Sequence, residues 1–198
     1  MFILGITGGM GSGKSTAANY FLKKGAVVFD ADLEAKILLE RNKKIISQII
    51  TQFGNQILTG NQIDIFKLSK FAFTSKQNQQ NLNKIIWPKI LKIIHENIQK
   101  EENNKTSLFI VDAALLIEAG YHNLFNSILL ITAEASIRIN RLKERNNIPH
   151  DQIKKRMNLQ MPEDEKRKHA DIIIENNLSK DELFNKLDNL LTNYNLLN

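Results

Sequence analysis

Gly5-Ile6-Thr7-Gly8-Gly9-Met10-Gly11-Ser12-Gly13-Lys14-Ser15-Thr16 is the stretch that decides the fold, because Gly8 to Ser15 satisfies the spacing G-x-x-x-x-G-K-[ST] of a phosphate-binding loop. An apolar run, Phe2 to Ile6, precedes it and Ala17 to Leu22 follows, which is the strand-before, helix-after setting that such a loop requires. Glycines at 8, 9, 11 and 13 open backbone conformations closed to other residues, so successive N–H groups can converge on an anion. The helix that follows adds its unpaired donors and positive dipole end. In that cradle Lys14 reaches the β and γ phosphates and the Ser15 hydroxyl ligates Mg²⁺. Thr16 is placed either to touch the α-phosphate or to cap the helix.

Working outward, Ala26 to Phe29 reads as a buried strand that ends at Asp30-Ala31-Asp32. Polar residues at the carboxyl ends of strands in a parallel sheet face the crevice where ligands bind. Alternation puts Asp30 and Asp32 on one side unless the chain has already turned. Asp30 serves equally well as a helix N-cap; Asp32 is the better functional candidate. Leu108 to Asp112 is an apolar run closed by Asp, the form of the strand that supplies a metal-orienting carboxylate in phosphoryl-transfer enzymes, which brings Asp112 to the metal. Ile128 to Thr132 and Asp171 to Glu175 complete five strands alternating with helices, hence a five-stranded parallel sheet with helices on both faces.

The segment of about 33–105 shows three-and-four apolar spacing throughout, broken by Gly54 and Gly60, and reads as a helical insertion in a single domain spanning 1–198. Pro88 starts or kinks a helix there, Trp87 reads as a core or pocket-wall residue, and His95 as a partly exposed helical histidine. Ala133 to Asn146 is an amphipathic helix carrying Arg138, Arg141 and Arg145, and Pro149 interrupts it. Asp151 to Lys168 is charged and poor in apolar residues, so weak packing and mobility are expected, the character of a lid over about 141–169. Ser179-x-x-Glu182 is a capping box opening a terminal helix.

Composition narrows the function classes. With no cysteine among 198 residues, disulfides, thiolate zinc sites and cysteine nucleophiles are excluded. Met1 to Leu4 lacks the features of a signal peptide and no apolar run is long enough to span a bilayer, so a cytoplasmic protein without membrane partners is expected. Of the formal charge of +6, most comes from Arg141 to Lys168, where nine bases face five acids. That segment has no Phe, Tyr or Trp to stack on bases, which favours a polyphosphate ligand over nucleic acid.

These residues together resemble the dephospho-coenzyme A kinases, a family of P-loop metabolite kinases. The resemblance covers nearly the whole chain and rests on Gly5 to Ser15, Asp30-Ala31-Asp32, Asp112-x-x-Leu115-Leu116-x-Glu118, Arg145, Arg156-x-x-x-Gln160, and Ala170-Asp171 followed by Asn176. Three positions depart from it: Trp87 before Pro88 where His is common, Ala114 where Pro is usual, and Asn146 where Asp is usual. The resemblance implies transfer of the ATP γ-phosphate to the ribose 3′-hydroxyl of dephospho-CoA. It further implies that Asp32 orients or deprotonates that hydroxyl, and that Lys14, Arg141 and Arg145 neutralise the transferring group. ATP is expected on Gly8, Gly9, Gly11, Ser12, Gly13, Lys14, Ser15, Thr16 and Asn176, and the acceptor on Thr7, Asp32, Leu115 and Glu118. Mg²⁺ is expected on Ser15 and, through water, on Asp112, with the helical insertion binding the acceptor and the protein acting as a monomer.

Three rivals use the same residues differently. Asn185-Lys186-Leu187-Asp188 matches a guanine-binding motif, but it falls inside the capped terminal helix rather than after a strand. A kinase of nucleoside monophosphates or another small metabolite is allowed by the loop and opposed by the Asp-Ala-Asp and Leu-Leu-x-Glu elements. A basic nucleic-acid-binding module is the non-enzymatic alternative.

Overall fold

β1 (Phe2–Thr7) is the middle strand of a five-stranded, all-parallel sheet in the computed structural model, which describes residues 1–146 and 150–197. Pro149 and the side chains of Arg145, Asn146 and Arg156, all singled out above, lie outside the described residues. From β1 the chain passes through α1 (Lys14–Lys23) to β2 (Val27–Asp30) at one edge. After α2 (Ala31–Arg41), α3 (Lys43–Phe53), β3 (Leu58–Thr59), β4 (Gln62–Ile63), α4 (Ile65–Ala72) and α5 (Lys76–Asn103), it returns as β5 (Leu108–Asp112) between β2 and β1. β6 (Ser127–Thr132), α6 (Ala135–Asn146), α7 (His150–Leu159), α8 (Glu163–Lys168), β7 (Ile172–Glu175) and α9 (Lys180–Asn193) complete the order β2-β5-β1-β6-β7.

Both faces of this sheet are covered, which is why its strands read as continuous apolar runs. Leu4 and Ile6 pair in register with Ile110 and Asp112 on one side, and with Ser127 and Leu129 on the other. On that face Leu4, Ile6, Leu108, Ile110, Leu129 and Ile131 pack with Ala17 and Phe21 of α1 and Leu183, Leu187 and Leu190 of α9. On the other face Phe109, Val111, Ile128 and Leu130 are buried. There Gly5 lies so near Leu116 and Phe125 that a Cβ would come within 2.8 Å of Leu116 Cδ1.

The chain forms two compact units, residues 1–30 with 97–198, and residues 31–96. The second was expected to be helical with a turn-rich break at Gly54 and Gly60. At that break it contains a β3–β4 hairpin turning through Gly60, whose φ of 60° suits a tight two-residue turn. Strands of two residues carry no readable alternation, and that is why this one was missed. Asn42 caps α3 by accepting from Ile45 N at 3.1 Å, and Asp64 caps α4 by accepting from Phe66 N and Lys67 N. The Lys67 N–H and the Thr59 hydroxyl hold the Asp64 carboxyl below its ordinary range. Pro88 lies inside α5, which runs through it; Ile86, Ile90 and Ile94 on its buried stripe offset the lost amide donor.

Asn185-Lys186-Leu187-Asp188 lies within α9, with Leu187 fully buried. Asp188 accepts from the Tyr20 hydroxyl at 2.6 Å and pairs with Lys24 at 2.8 Å, so it ties α9 to the end of α1. The Lys24 hydrogen bond, then that of Tyr20, depress the Asp188 pKa, and Asp188 raises that of Lys24. A carboxyl depressed in the folded state contributes stability that is complete above its unfolded value of about 4 and is lost as pH falls through the folded value. We therefore expect Asp188→Asn to lower the thermal midpoint slightly at pH 7, and the difference from the wild type to close below about pH 4. Unfolding followed by circular dichroism from pH 3 to 8 checks this; a difference that persists unchanged at pH 3 would remove the ion pair as its cause.

Candidate active site

The site is built where β1 and β5 lie side by side while their connections leave in opposite directions, β1 toward β2 and β5 toward β6. Divergent connections open a crevice at the carboxyl ends of such a pair. Thr7, Asp30, Asp112, Thr132 and Glu175 are the last residues of their strands and mark that edge. The loop 8–13 rises from β1 and enters α1 at Gly13, whose φ of 101° no other residue adopts cheaply. A Cβ on Gly13 would also collide with the Asn176 amide.

Beneath this loop the Lys14 ammonium contacts the Asp112 carboxylate. Asp112 is buried and its side chain is about 5% exposed, so the pair lies in a medium where each charge acts strongly on the other and on any anion brought to it. Ser15 is exposed on the first turn of α1. Ser12 Oγ and Arg141 Nη1 are buried with no hydrogen-bond partner among the described residues, polar atoms that an oxyanion would satisfy. No group of three or more His, Cys, Asp or Glu able to hold a metal occurs among the described residues. Ser15 and Asp112 fit instead a Mg²⁺ carried in on phosphates, which takes one or two protein oxygens and keeps several waters.

The loop is braced from outside. Ser12 carbonyl accepts from Asn176 Nδ2 at 2.8 Å, and Asn176 N donates to Thr132 O at 2.8 Å, so the turn after β7 is fixed to both the loop and β6. Met10 is held at both peptide groups: its N–H donates to Gln160 Oε1 at 3.0 Å and its carbonyl accepts from Arg138 Nε at 2.9 Å. Arg138 is 8% exposed, and Glu163 Oε2 accepts from its Nη1 at 3.2 Å while Glu163 Oε1 takes the Thr132 hydroxyl. Burial pulls the Arg138 guanidinium below its ordinary pKa, and Glu163 opposes that shift.

Weak packing was expected over 151–168, and two buried side chains contradict it. Ile153 is fully buried, and Lys166 is 1% exposed, donating to Ala114 O at 3.0 Å and pairing with Glu118 at 2.9 Å. Met161 N donates to the same Glu118 oxygen at 3.2 Å, and the Thr7 hydroxyl donates to the same Ala114 carbonyl at 3.3 Å. The charge run Glu163 to Lys168 thus grips the loop after β5.

The family described as CoaE, dephospho-CoA kinase, matches residues 2–182. The chain is 36% identical over 189 residues to a dephospho-CoA kinase of Fusobacterium nucleatum, covering 95% of this chain and 96% of that one. The chain belongs to the dephospho-CoA kinase family. Among solved structures, a Thermus thermophilus protein superposes with a TM-score of 0.81 at 28% identity over 97% of both chains. A dephospho-CoA kinase from Campylobacter jejuni superposes with a TM-score of 0.68 at 25% identity, over 96% of this chain and 95% of that one. Membership makes the chain an ATP-dependent phosphotransferase of the last step of coenzyme A biosynthesis, on the P-loop kinase fold expected from its loop and strand count.

With the dephospho-CoA kinase reading in hand, the expected residues divide. Gly8, Gly9, Gly11, Ser12, Gly13, Lys14, Ser15 and Thr16 lie in one loop and helix turn, with Asp112 against Lys14 and Asn176 against Ser12. The Asn176 amide donates to the Ser12 carbonyl and so braces the loop on which ATP is expected. Thr7 and Glu118 belong to the network around Ala114 and Lys166, and Leu115 begins the turn whose carbonyl accepts from Ala119 N. Asp30 and Asp32 do not alternate across a strand, because α2 begins at Ala31 and puts Asp32 in its first turn. Arg138, Glu163 and Lys166 were not foreseen: a basic residue on an amphipathic helix and a run of three acids followed by three bases both look like solvated surface.

The brace carries a directional prediction. Asn176→Ala removes a donor to a buried carbonyl, a loss of about 1–3 kcal/mol, and raises KM for ATP. Asn176→Asp, of the same shape, sets a carboxylate against the Ser12 carbonyl and is expected to harm both ATP affinity and thermal midpoint more than Ala does. Calorimetric ATP titration with melting curves on both variants checks the order; an Asp variant that binds as the wild type removes the brace.

Proposed function

We propose that the Gly8–Ser15 loop holds ATP while Asp32 orients and deprotonates the ribose 3′-hydroxyl of dephospho-CoA for attack on the γ-phosphorus. The single observation that carries this reading is the Lys14–Asp112 contact at the foot of the loop, in the crevice between β1 and β5. A lysine and a strand-end carboxylate meeting at one point of a parallel sheet support the reading of Lys14 as the phosphate-binding cation and Asp112 as the metal-orienting carboxylate. Mg²⁺, held by the Ser15 hydroxyl and through water by Asp112, would supply charge neutralisation at the phosphates.

Phosphoryl transfer passes through a loose transition state whose charge spreads over the phosphoryl oxygens, so the protein acts by positioning and by neutralising charge. Backbone N–H groups of the loop take the phosphates, and the α1 dipole favours them. Lys14 neutralises the leaving side, and Arg141 and Arg145 the transferring group. Asp32, in the first turn of α2, receives the proton of the hydroxyl. Thr7, Leu115 and Glu118 contribute to acceptor binding, and exclusion of water from bound ATP falls to the lid segment of about 141–169. In this reading the protein is a cytoplasmic monomer that takes small molecules and no nucleic acid; no helix among the described residues is long and apolar enough to cross a membrane.

A coupled assay of ADP release, run over dephospho-CoA, nucleoside monophosphates and shikimate-like acceptors with Mg-ATP, tests the reading. Turnover is expected with dephospho-CoA alone; turnover of a nucleoside monophosphate with none on dephospho-CoA would overturn it. Asp32→Asn is expected to lower kcat by about two orders of magnitude or more while ATP binding survives. Lys14→Ala is expected to lower kcat/KM for ATP by about 10²-fold or more. Near-normal turnover of Asp32→Asn would take Asp32 out of the mechanism.

A further inference from the structure

α6 meets the phosphate loop at Arg138 and Leu142. Arg138 donates Nε to the Met10 carbonyl at 2.9 Å, and its guanidinium lies flat enough against Gly9 that any Cβ there would collide with it. Its own carbonyl comes within 2.7 Å of where a Cβ on Gly11 would sit. The guanidinium is oriented by Glu163, the first residue of α8, which at its other oxygen takes the Thr132 hydroxyl at the end of β6. Glu163 also pairs with Arg167 at 3.6 Å, and Arg167 with Glu175 at 2.9 Å at the end of β7.

This arrangement costs desolvation of a cation, and nothing in the sheet or the helix packing requires it. An apolar residue at 138 would satisfy α6. What Arg138 adds is a directed bond to a peptide group at the apex of the loop. The opposite side of that residue, Met10 N, is held by Gln160. Arg138 also fills the space above Gly9, and by holding the Met10 carbonyl it limits the rotation by which the Met10–Gly11 peptide could turn that carbonyl inward. A cradle of N–H groups binds phosphate only while its carbonyls point away.

We propose that Arg138, held by Glu163, is a positioning residue for ATP: it keeps the Met10 carbonyl turned out of the phosphate cradle and so presets the loop for the nucleotide. The proposal rests on Gly8–Ser15 being the phosphate site of the reaction given above. Arg138 touches neither substrate. Its effect reaches ATP through Gly9 and Met10, and Glu163 acts only through Arg138. Binding to a preset loop avoids the ordering cost that a loose one would add to each association.

The test is direct ATP binding by calorimetry and steady-state kinetics on Arg138→Gln, Arg138→Lys, Glu163→Gln and the Arg138→Gln/Glu163→Gln double variant. Arg138→Gln is expected to raise Kd and KM for ATP by about tenfold, the scale of one lost charge-assisted hydrogen bond, with KM for dephospho-CoA within about twofold of the wild type. Arg138→Lys, which can still donate to the Met10 carbonyl, recovers part of that loss. Glu163→Gln has a smaller effect of the same kind and adds nothing in the Arg138→Gln background, since the two act as one unit. An unchanged ATP Kd in a folded Arg138→Gln, equal rises in both KM values, or additive effects of the two substitutions would each overturn the proposal. If Arg138→Gln does not fold, Arg138→Lys and Glu163→Gln carry the same comparison. The ATP Kd is read without any acceptor, so an error in the acceptor assignment leaves this result intact, while wild-type protein that binds no ATP would strike the function reading first.

Discussion

Parallel pairing of β1 with β5, in the register Ile6 to Asp112, is the constraint on which the rest of the site depends. In a parallel pair both strands end on the same edge, so the loop that follows β1, with the helix turn it enters, and the residue that closes β5 meet without any long-range device. The connections then leave in opposite directions, which keeps helices from filling the space above that edge. Lys14 and Asp112, 98 residues apart in sequence, come into contact for this reason alone. Shift the register by one residue and Asp112 faces the other side of the sheet, among Val111 and Phe109's neighbours, where its charge has no partner.

What the sequence made legible follows the range of the interactions involved. The loop, its strand and its helix were readable because glycine conformations and helix N-termini are local matters. The strand-end Asp112 was readable because burial on both faces writes a continuous apolar run and then stops. The β3–β4 hairpin was not, because two-residue strands have no period. Asp30 and Asp32 were expected on one side unless the chain had already turned, and it turns there, helix geometry beginning at Ala31. Asn176 was expected on ATP from family resemblance, whereas the hydrogen bond it makes, to a carbonyl 164 residues away, leaves no mark in local spacing.

Charged residues misled the reading most. Arg138 on an amphipathic helix and Lys166 in the run Glu163 to Lys168 have the sequence pattern of solvated faces, and both are among the most buried charges of the chain. A buried ion pair is weak evidence of stability, since desolvation of the two charges is about as large as their attraction. Its value lies in direction: a guanidinium with three contacts admits one geometry, and an apolar side chain of the same volume admits many. That these buried charges gather on the phosphate loop and on the turn after β5, rather than in the apolar core between α1, α9 and the sheet, fits a need for fixed orientation there.

The same logic separates the two kinds of electrostatics in this protein. Lys24 and Asp188 meet at the surface, where water competes for both, and they tie α9 to α1 with small energies. Lys14 with Asp112 and Arg138 with Glu163 are shielded, so each fixes a direction that solvent does not blur. A phosphoryl-transfer site gains from the second kind, because its transition state differs from its ground state chiefly in where negative charge lies, and dipoles already aimed at that charge need no reorganisation when it moves. Bracing the phosphate loop from outside suits that need, since it fixes the backbone dipoles before any charge moves.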